Sequence, residues 1–258
     1  MRLRLLAVAV LLAGCASPVV DGATAPPPSE IDFPVDAKPR PIVLTGWPLV
    51  QEGSGGEAEK IAASNGRFAF TGAAPTTPAP TPVELSDGPA TLPLIGAADA
   101  VVAMSAAGRD GTPLELVAVE FGQARFATDR GALDLPAWRF RSAFGSTFSW
   151  PAVAPTAFWR FGEVTGSIDR ATTTDGVTLD VEMDEPAPPC PGEDPGVTKA
   201  VAEEGPTSVV VRQETTGRGR LCGDNALYQP RTFQVVLEEP LGARVLVDEH
   251  NGIITVTR

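Results

Sequence analysis

The sequence predicts a mainly β protein with one short helix, an α+β N-terminal module followed by a small β-sandwich C-terminal module. Three observations carry that expectation. The 258 residues include 26 glycines and 26 prolines, which favours many turns and short elements over a helix bundle. Apolar residues make up 43% of the chain, enough for a sizeable core and too many for wholesale disorder. From Leu114 onward, runs of residues alternate apolar and polar with period two, the pattern of half-buried strands.

Residues 1–14 read as a signal peptide. Arg2 and Arg4 supply a basic start, Leu5 to Leu12 is an unbroken apolar run, and Ala13 and Gly14 are small. A bilayer-spanning helix needs about 20 apolar residues, so this run is too short for a permanent anchor. Leu12-Ala13-Gly14-Cys15 resembles the lipobox of bacterial lipoproteins. That resemblance implies cleavage before Cys15 and a diacylglycerol on its thiol, with further acylation such as palmitate giving a stable anchor. The alternative is plain secretion, with cleavage nearby, for instance after Ala16, and an unmodified Cys15.

Cysteine arithmetic agrees with lipidation. The chain has three cysteines, an odd count for an exported protein. With Cys15 committed to lipid, Cys190 and Cys222 form one pair suited to an oxidising compartment. Two free or metal-binding thiols are the other reading, although no Cys-x-x-Cys and no nearby histidine supports a metal.

The segment 15–41 is expected to be the lipidated cysteine and a proline-rich tether, extended as polyproline II. The first module, 42–162, starts at the short strand Ile42-Val43-Leu44. A turn at Asn65-Gly66 leads into a second strand, Arg67 to Phe70. Ala73 to Pro82 is a threonine- and proline-rich loop or linker, a composition also found at O-glycosylation sites. Gly96 to Ala107 is the helix, with Ala97, Ala98, Val101, Val102 and Ser105 as its packing face and Gly108 as its stop. An antiparallel meander follows, through Leu114 to Thr128, a turn at Asp129-Arg130-Gly131, and a strand reaching Trp138 to Arg141.

The second module, 163–258, shows a clean strand from Val177 to Met183 and a proline-rich loop, Pro186 to Pro195, that holds Cys190. Hairpins are predicted for Lys199–Glu204 with Ser208–Glu214, and for Arg244–Asp248 with Ile253–Thr257 around Asn251-Gly252. Ser-Val-Val-Val-Arg at 208–212, Cys222 and Val-Val-Leu-Glu-Glu-Pro-Leu-Gly-Ala-Arg at 235–244 resemble the tail of exported actinobacterial proteins of unknown function. Thr-Asp-Arg-Gly to Leu-Pro-Ala-Trp-Arg-Phe, 128–140, is similar to their middle part. The resemblance implies a single-membrane envelope and supplies no catalytic residues.

Charge narrows the range of partners. The formal charge is −12, and losing Arg2 and Arg4 with the signal takes it to −14. So acidic a body is repelled by nucleic acid and by anionic lipid, so membrane attachment should come from the lipid anchor and nucleic-acid binding is not expected. The single histidine, His250, adjoins a hairpin turn and reads as an exposed turn residue; a Ser-His-Asp or Cys-His enzyme would have to use it. No metal site and no cofactor are expected, because metal-ligand clusters and phosphate-binding glycine motifs are absent from the sequence. Of the 16 aromatics, those from Phe121 to Phe161 dominate and should fill a core; Trp150 and Trp159 are the two proposed for a binding surface. The combined expectation is a lipid-anchored protein of the outer face of the cell membrane, binding an envelope protein or glycan without chemistry. The alternative is an envelope hydrolase that uses paired carboxylates.

Overall fold

The computed structural model describes residues 31–106, 108–109, 111–222 and 227–258. Cys15, the signal segment and the start of the tether lie outside them. The protein is mainly β, as expected, with two short α-helices among the described residues.

In chain order the first module contains β1 (Val50–Glu52), α1 (Glu57–Ser64), β2 (Phe68–Phe70), β3 (Pro82–Leu85), β4 (Gly88–Thr91), α2 (Ala97–Ser105), β5 (Leu114–Thr128), β6 (Gly131–Ser142) and β7 (Thr147–Pro151). Its five-stranded sheet has the order β1-β7-β6-β5-β2, with β2 parallel to β5 and the other pairs antiparallel. The long β5–β6 hairpin is its spine. Thr128 Oγ1 donates to Gly131 O at 2.6 Å, and Gly131 takes a φ of 90° that favours glycine at the turn.

Trp138, Phe140, Phe148 and Trp150 alternate into one face of this sheet and are buried against α2. Each fully buried side chain of this kind contributes about 1.5–3 kcal/mol. The packing face of α2 is Ala97, Ala100, Val101 and Met104, whereas Val102 is exposed, so the helix is rotated relative to the expected face. The cause is Met104, which falls on the Ala97–Ala100 stripe and fills more space than Ser105 could. The β3–β4 hairpin contributes Val83 to a second cluster with Phe126, Leu135 and Phe158.

Helix α1 was not anticipated. Its anchor is Glu59, which is buried and accepts hydrogen bonds from Ser142 Oγ, Ser146 Oγ and Gly55 N. Burial pushes this carboxyl up, but those donors outweigh it and hold it below its ordinary value. A Cβ at Gly55 would collide with Phe144 and with the Glu59 carboxylate, so the Gly53-Ser54-Gly55-Gly56 segment is a fitted loop.

The second module contains β8 (Gly166–Thr172), β9 (Thr178–Asp184), β10 (Val197–Glu204), β11 (Ser208–Thr216), β12 (Pro230–Val236), β13 (Val245–Asp248) and β14 (Ile253–Thr257). All seven strands form one sheet, in the order β10-β11-β13-β14-β8-β9-β12, rather than two facing sheets. The sheet curls until its edge strands β10 and β12 approach each other, giving a near-barrel. Leu179, Val181, Val209, Val211 and Ile254 fill its interior. Alternation along single strands is the same for a sandwich and a barrel, so the sequence could not separate the two. Both predicted hairpins form, in the expected places.

The two modules share a core. Ile31, Phe33 and Val43 pack with Val210, Val245, Val247 and Ile253. The packed body therefore begins at or before Ile31, inside the stretch expected to be tether: Phe33 is 1% exposed, with the Arg40 guanidinium 4.5 Å above its ring. Isolated apolar residues among prolines gave no periodic signal there. Backbone bonds also cross the junction, from Val256 N to Asp129 O at 2.9 Å and from Thr255 Oγ1 to Thr128 O at 3.2 Å.

Candidate functional site

One mouth of the near-barrel is lined by carboxylates. There β8, the end of β9, the middle of β11 and the β13–β14 turn enclose a cavity of about 430 Å³, with Asp169, Asp184, Asp248, Glu249, Arg212 and His250 on its wall. Sheet order explains the convergence, because parallel pairing sets Asp248 of β13 beside Val211 of β11 and Ile253 of β14 beside Gly166 of β8.

Asp248 builds the turn. Its Oδ1 accepts from His250 N at 2.8 Å and Gly252 N at 2.7 Å, and Asn251 adopts a left-handed φ of 64°. A Cβ at position 252 would lie 2.5 Å from Asp248 Oδ2, which explains the glycine. Asp184 is also fixed by the backbone, accepting from Gln229 N at 2.7 Å. Both carboxylates thus accept from main-chain donors.

Asp169 is different. Half-buried between them, it has a carboxyl pushed up to about 6, first by burial and then by the charges of Asp248 and Asp184. A hydrogen bond with Tyr228 opposes the shift, and the Tyr228 phenol is itself raised by burial and then by Asp169, Glu182 and Asp184. Asp169 is therefore a carboxyl whose proton exchange is moved toward neutral pH. The exposed side chains of Ile168 and Tyr228 add apolar surface on the same side.

Across the His250 turn lies a second cleft of about 340 Å³, bordered by Ile31, Trp159, Arg160, Glu163 and Asn251. His250 touches both clefts and is exposed, as expected of a turn residue. Trp159 does reach this surface, half-buried, but not as an open stacking platform. Phe33 packs on it edge-on at 5.5 Å, and the Arg160 guanidinium covers the ring at 4.9 Å. Trp150 does not reach the surface at all. It is 1% exposed and boxed by Trp47 and Phe161, each 5.7 Å away, so its place on a binding surface is withdrawn. The alternation that puts Trp138 inward puts its cross-strand partner Trp150 inward too.

Cys190 and Cys222 are disulfide-bonded, with Cα atoms 4.7 Å apart. The bond clamps the proline-rich loop to the Leu221 segment, where Cys190 N also donates to Arg220 O at 2.8 Å. Cys15 falls outside the described residues. Among the described residues no group of three or more His, Cys, Asp or Glu side chains is arranged to hold a metal ion, the carboxylates of the first cavity included. No described helix is long and apolar enough to cross a membrane.

Sequence reasoning missed Asp169, Asp184 and Asp248 as a group. Asp184 ends a strand that was anticipated, but β8, which carries Asp169, has only Ile168 and Ala171 as apolar members and gave no alternation. Comparison with known proteins finds no matching family model, no matching curated protein and no matching solved structure.

Proposed function

We propose that the protein is a lipid-anchored component of the cell envelope that binds a partner through its carboxylate-lined mouth without catalysing a reaction. The lipid at Cys15 holds it on the outer face of the cell membrane. Export is supported by the Cys190–Cys222 bond, since such bonds persist in oxidising compartments. One observation carries the binding role: Asp169, Asp184, Asp248 and Glu249 surround one concave site. A recess in which four carboxylates outnumber Arg212, with low-dielectric walls, focuses its field on positively charged ligands. The partner is an envelope protein segment rich in lysine or arginine, with Ile168 and Tyr228 offering apolar contact. A glycan is the less favoured ligand, because Trp150 is buried and Trp159 is covered.

Crosslinking in intact cells tests this reading. The wild-type protein should yield a discrete crosslinked species whose intensity falls with rising salt and which is lost in an Asp169→Lys/Glu249→Lys variant. An unchanged species in that variant would place the interaction elsewhere.

The carboxylate-hydrolase reading keeps one specific support, the elevated Asp169 beside Asp248 and Asp184, the environment a general acid needs. Against it, Asp248 and Asp184 are both engaged by backbone donors. Hydrolysis of envelope polysaccharide by the wild type, abolished in Asp169→Asn, would establish it.

A further inference from the structure

A region of opposite charge lies at the module junction. The β3–β4 tip, the β5–β6 tip, the 240–243 loop and the end of β14 enclose a cavity of about 500 Å³, with Lys38, Arg40, Arg130 and Arg258 on its wall. A neighbouring recess of about 250 Å³ shares Arg40, Ser86 and Arg130 with it. The carboxylates facing these cations are Asp87 at the wall of the larger cavity, and Asp129 and Glu84 at the wall of the smaller. Four cationic side chains thus meet three carboxylates, in a chain whose net charge is −12.

Not all four cations are equally engaged. Arg40 is fully used, bidentate to Asp129 at 3.2 and 2.6 Å and bonded through Nε to Ala243 O at 3.0 Å. Arg130 is not. Its Nη2 donates to Gly242 O and Arg244 O, its Nε stands 3.6 Å from Asp129, and its Nη1 has no hydrogen-bond partner among the described residues. Lys38 stands a loose 3.9 Å from Asp87 and is well exposed. The Ser86 hydroxyl borders both recesses without a partner among the described residues.

We propose that this cavity binds a small oxyanion, the phosphoryl or carboxylate group of a soluble molecule, with Arg130 as its main contact and Lys38 and Arg258 at the rim. A guanidinium fork matches such groups in geometry as well as charge, and the volume suits a small-molecule site. Crowding supports the assignment: Arg130 is lowered to about 10, first by burial and then by repulsion from Arg40 and Arg258, with Asp129 only partly compensating. An anion would relieve that repulsion. Because its wall comes from both modules, occupancy would also tie them together. The site stands independently of the acidic mouth.

The test is titration of the full chain, purified in detergent, with inorganic phosphate and with citrate, by calorimetry and thermal shift. Saturable binding by either, with a thermal shift that sodium chloride of equal ionic strength does not reproduce, is expected. Phosphate alone or citrate alone identifies the phosphoryl or carboxylate class. Arg130→Gln should weaken binding at least ten-fold. Lys38→Gln/Arg258→Gln alters only the rim and should weaken binding several-fold, which keeps the test decisive should Arg130→Gln not fold. Binding of equal strength in the variants, or a shift that follows ionic strength alone, overturns the proposal.

Discussion

Asp129→Asn should be among the most damaging single substitutions in the chain. The Asp129 side chain is 3% exposed and Arg40 is 6% exposed, so their bidentate contact is shielded from water at the junction of the modules. The same carboxylate faces Arg130 Nε at 3.6 Å. Neutralising it leaves two guanidinium groups packed together without a buried counterion. Breaking a buried pair from one side costs about 3–5 kcal/mol, far more than the pair's net worth against apolar replacement. With a urea m-value of about 2 kcal/mol/M, the unfolding midpoint should fall by about 1.5–2.5 M. Equilibrium urea unfolding, followed by tryptophan fluorescence, measures it directly. Arg40→Met combined with Asp129→Asn should cost clearly less than the sum of the single changes, with a coupling energy above about 1 kcal/mol. A midpoint drop below about 0.5 M, or strict additivity, would refute the view that the buried Arg40–Asp129 pair depends on both its partners.

Non-reducing peptide mapping should recover Cys190 linked to Cys222, and reduction should cost about 3.7 kcal/mol by the chain-entropy estimate; two alkylatable thiols in the native protein would contradict it. Asp169→Asn should change the pH profile of stability. Because the folded carboxyl is raised to about 6 against an ordinary 3.8, the stability linked to this group is fully present below its unfolded value and lost as pH rises through about 6. The variant should therefore be more stable than wild type at pH 7.5, by on the order of 1 kcal/mol after screening of a half-exposed group, and indistinguishable near pH 4. Equal midpoints at both pH values would show that Asp169 is not raised.

Much of the fold was legible because it rests on local signals. Period-two alternation located the β5–β6 meander and β9, and Asn251-Gly252 located the last hairpin. The elements missed depend on distant partners. Helix α1 is held by a buried Glu59 that reaches Ser142 and Ser146 across the sheet, and an isolated glutamate carries no such signal in sequence. Phe33 looked like tether because its partners, Arg40 and Trp159, bracket most of the first module. The sites were less legible still. Asp169 and Asp184 meet across the antiparallel β8–β9 pair, Asp248 joins them only through the parallel pairing of β14 with β8, and Arg130 meets Arg258 only through docking of one module on the other.

Membrane attachment in the proposed function rests on chemical modification of Cys15, which mass spectrometry of the protein taken from its own membranes reads out. A mature chain that begins at Cys15 with a diacylglycerol on its thiol is expected, as is a Cys15→Ala variant that is released from the membrane or retained as precursor. A mature terminus beyond Cys15, or a Cys15→Ala variant that still needs detergent for extraction, would contradict it.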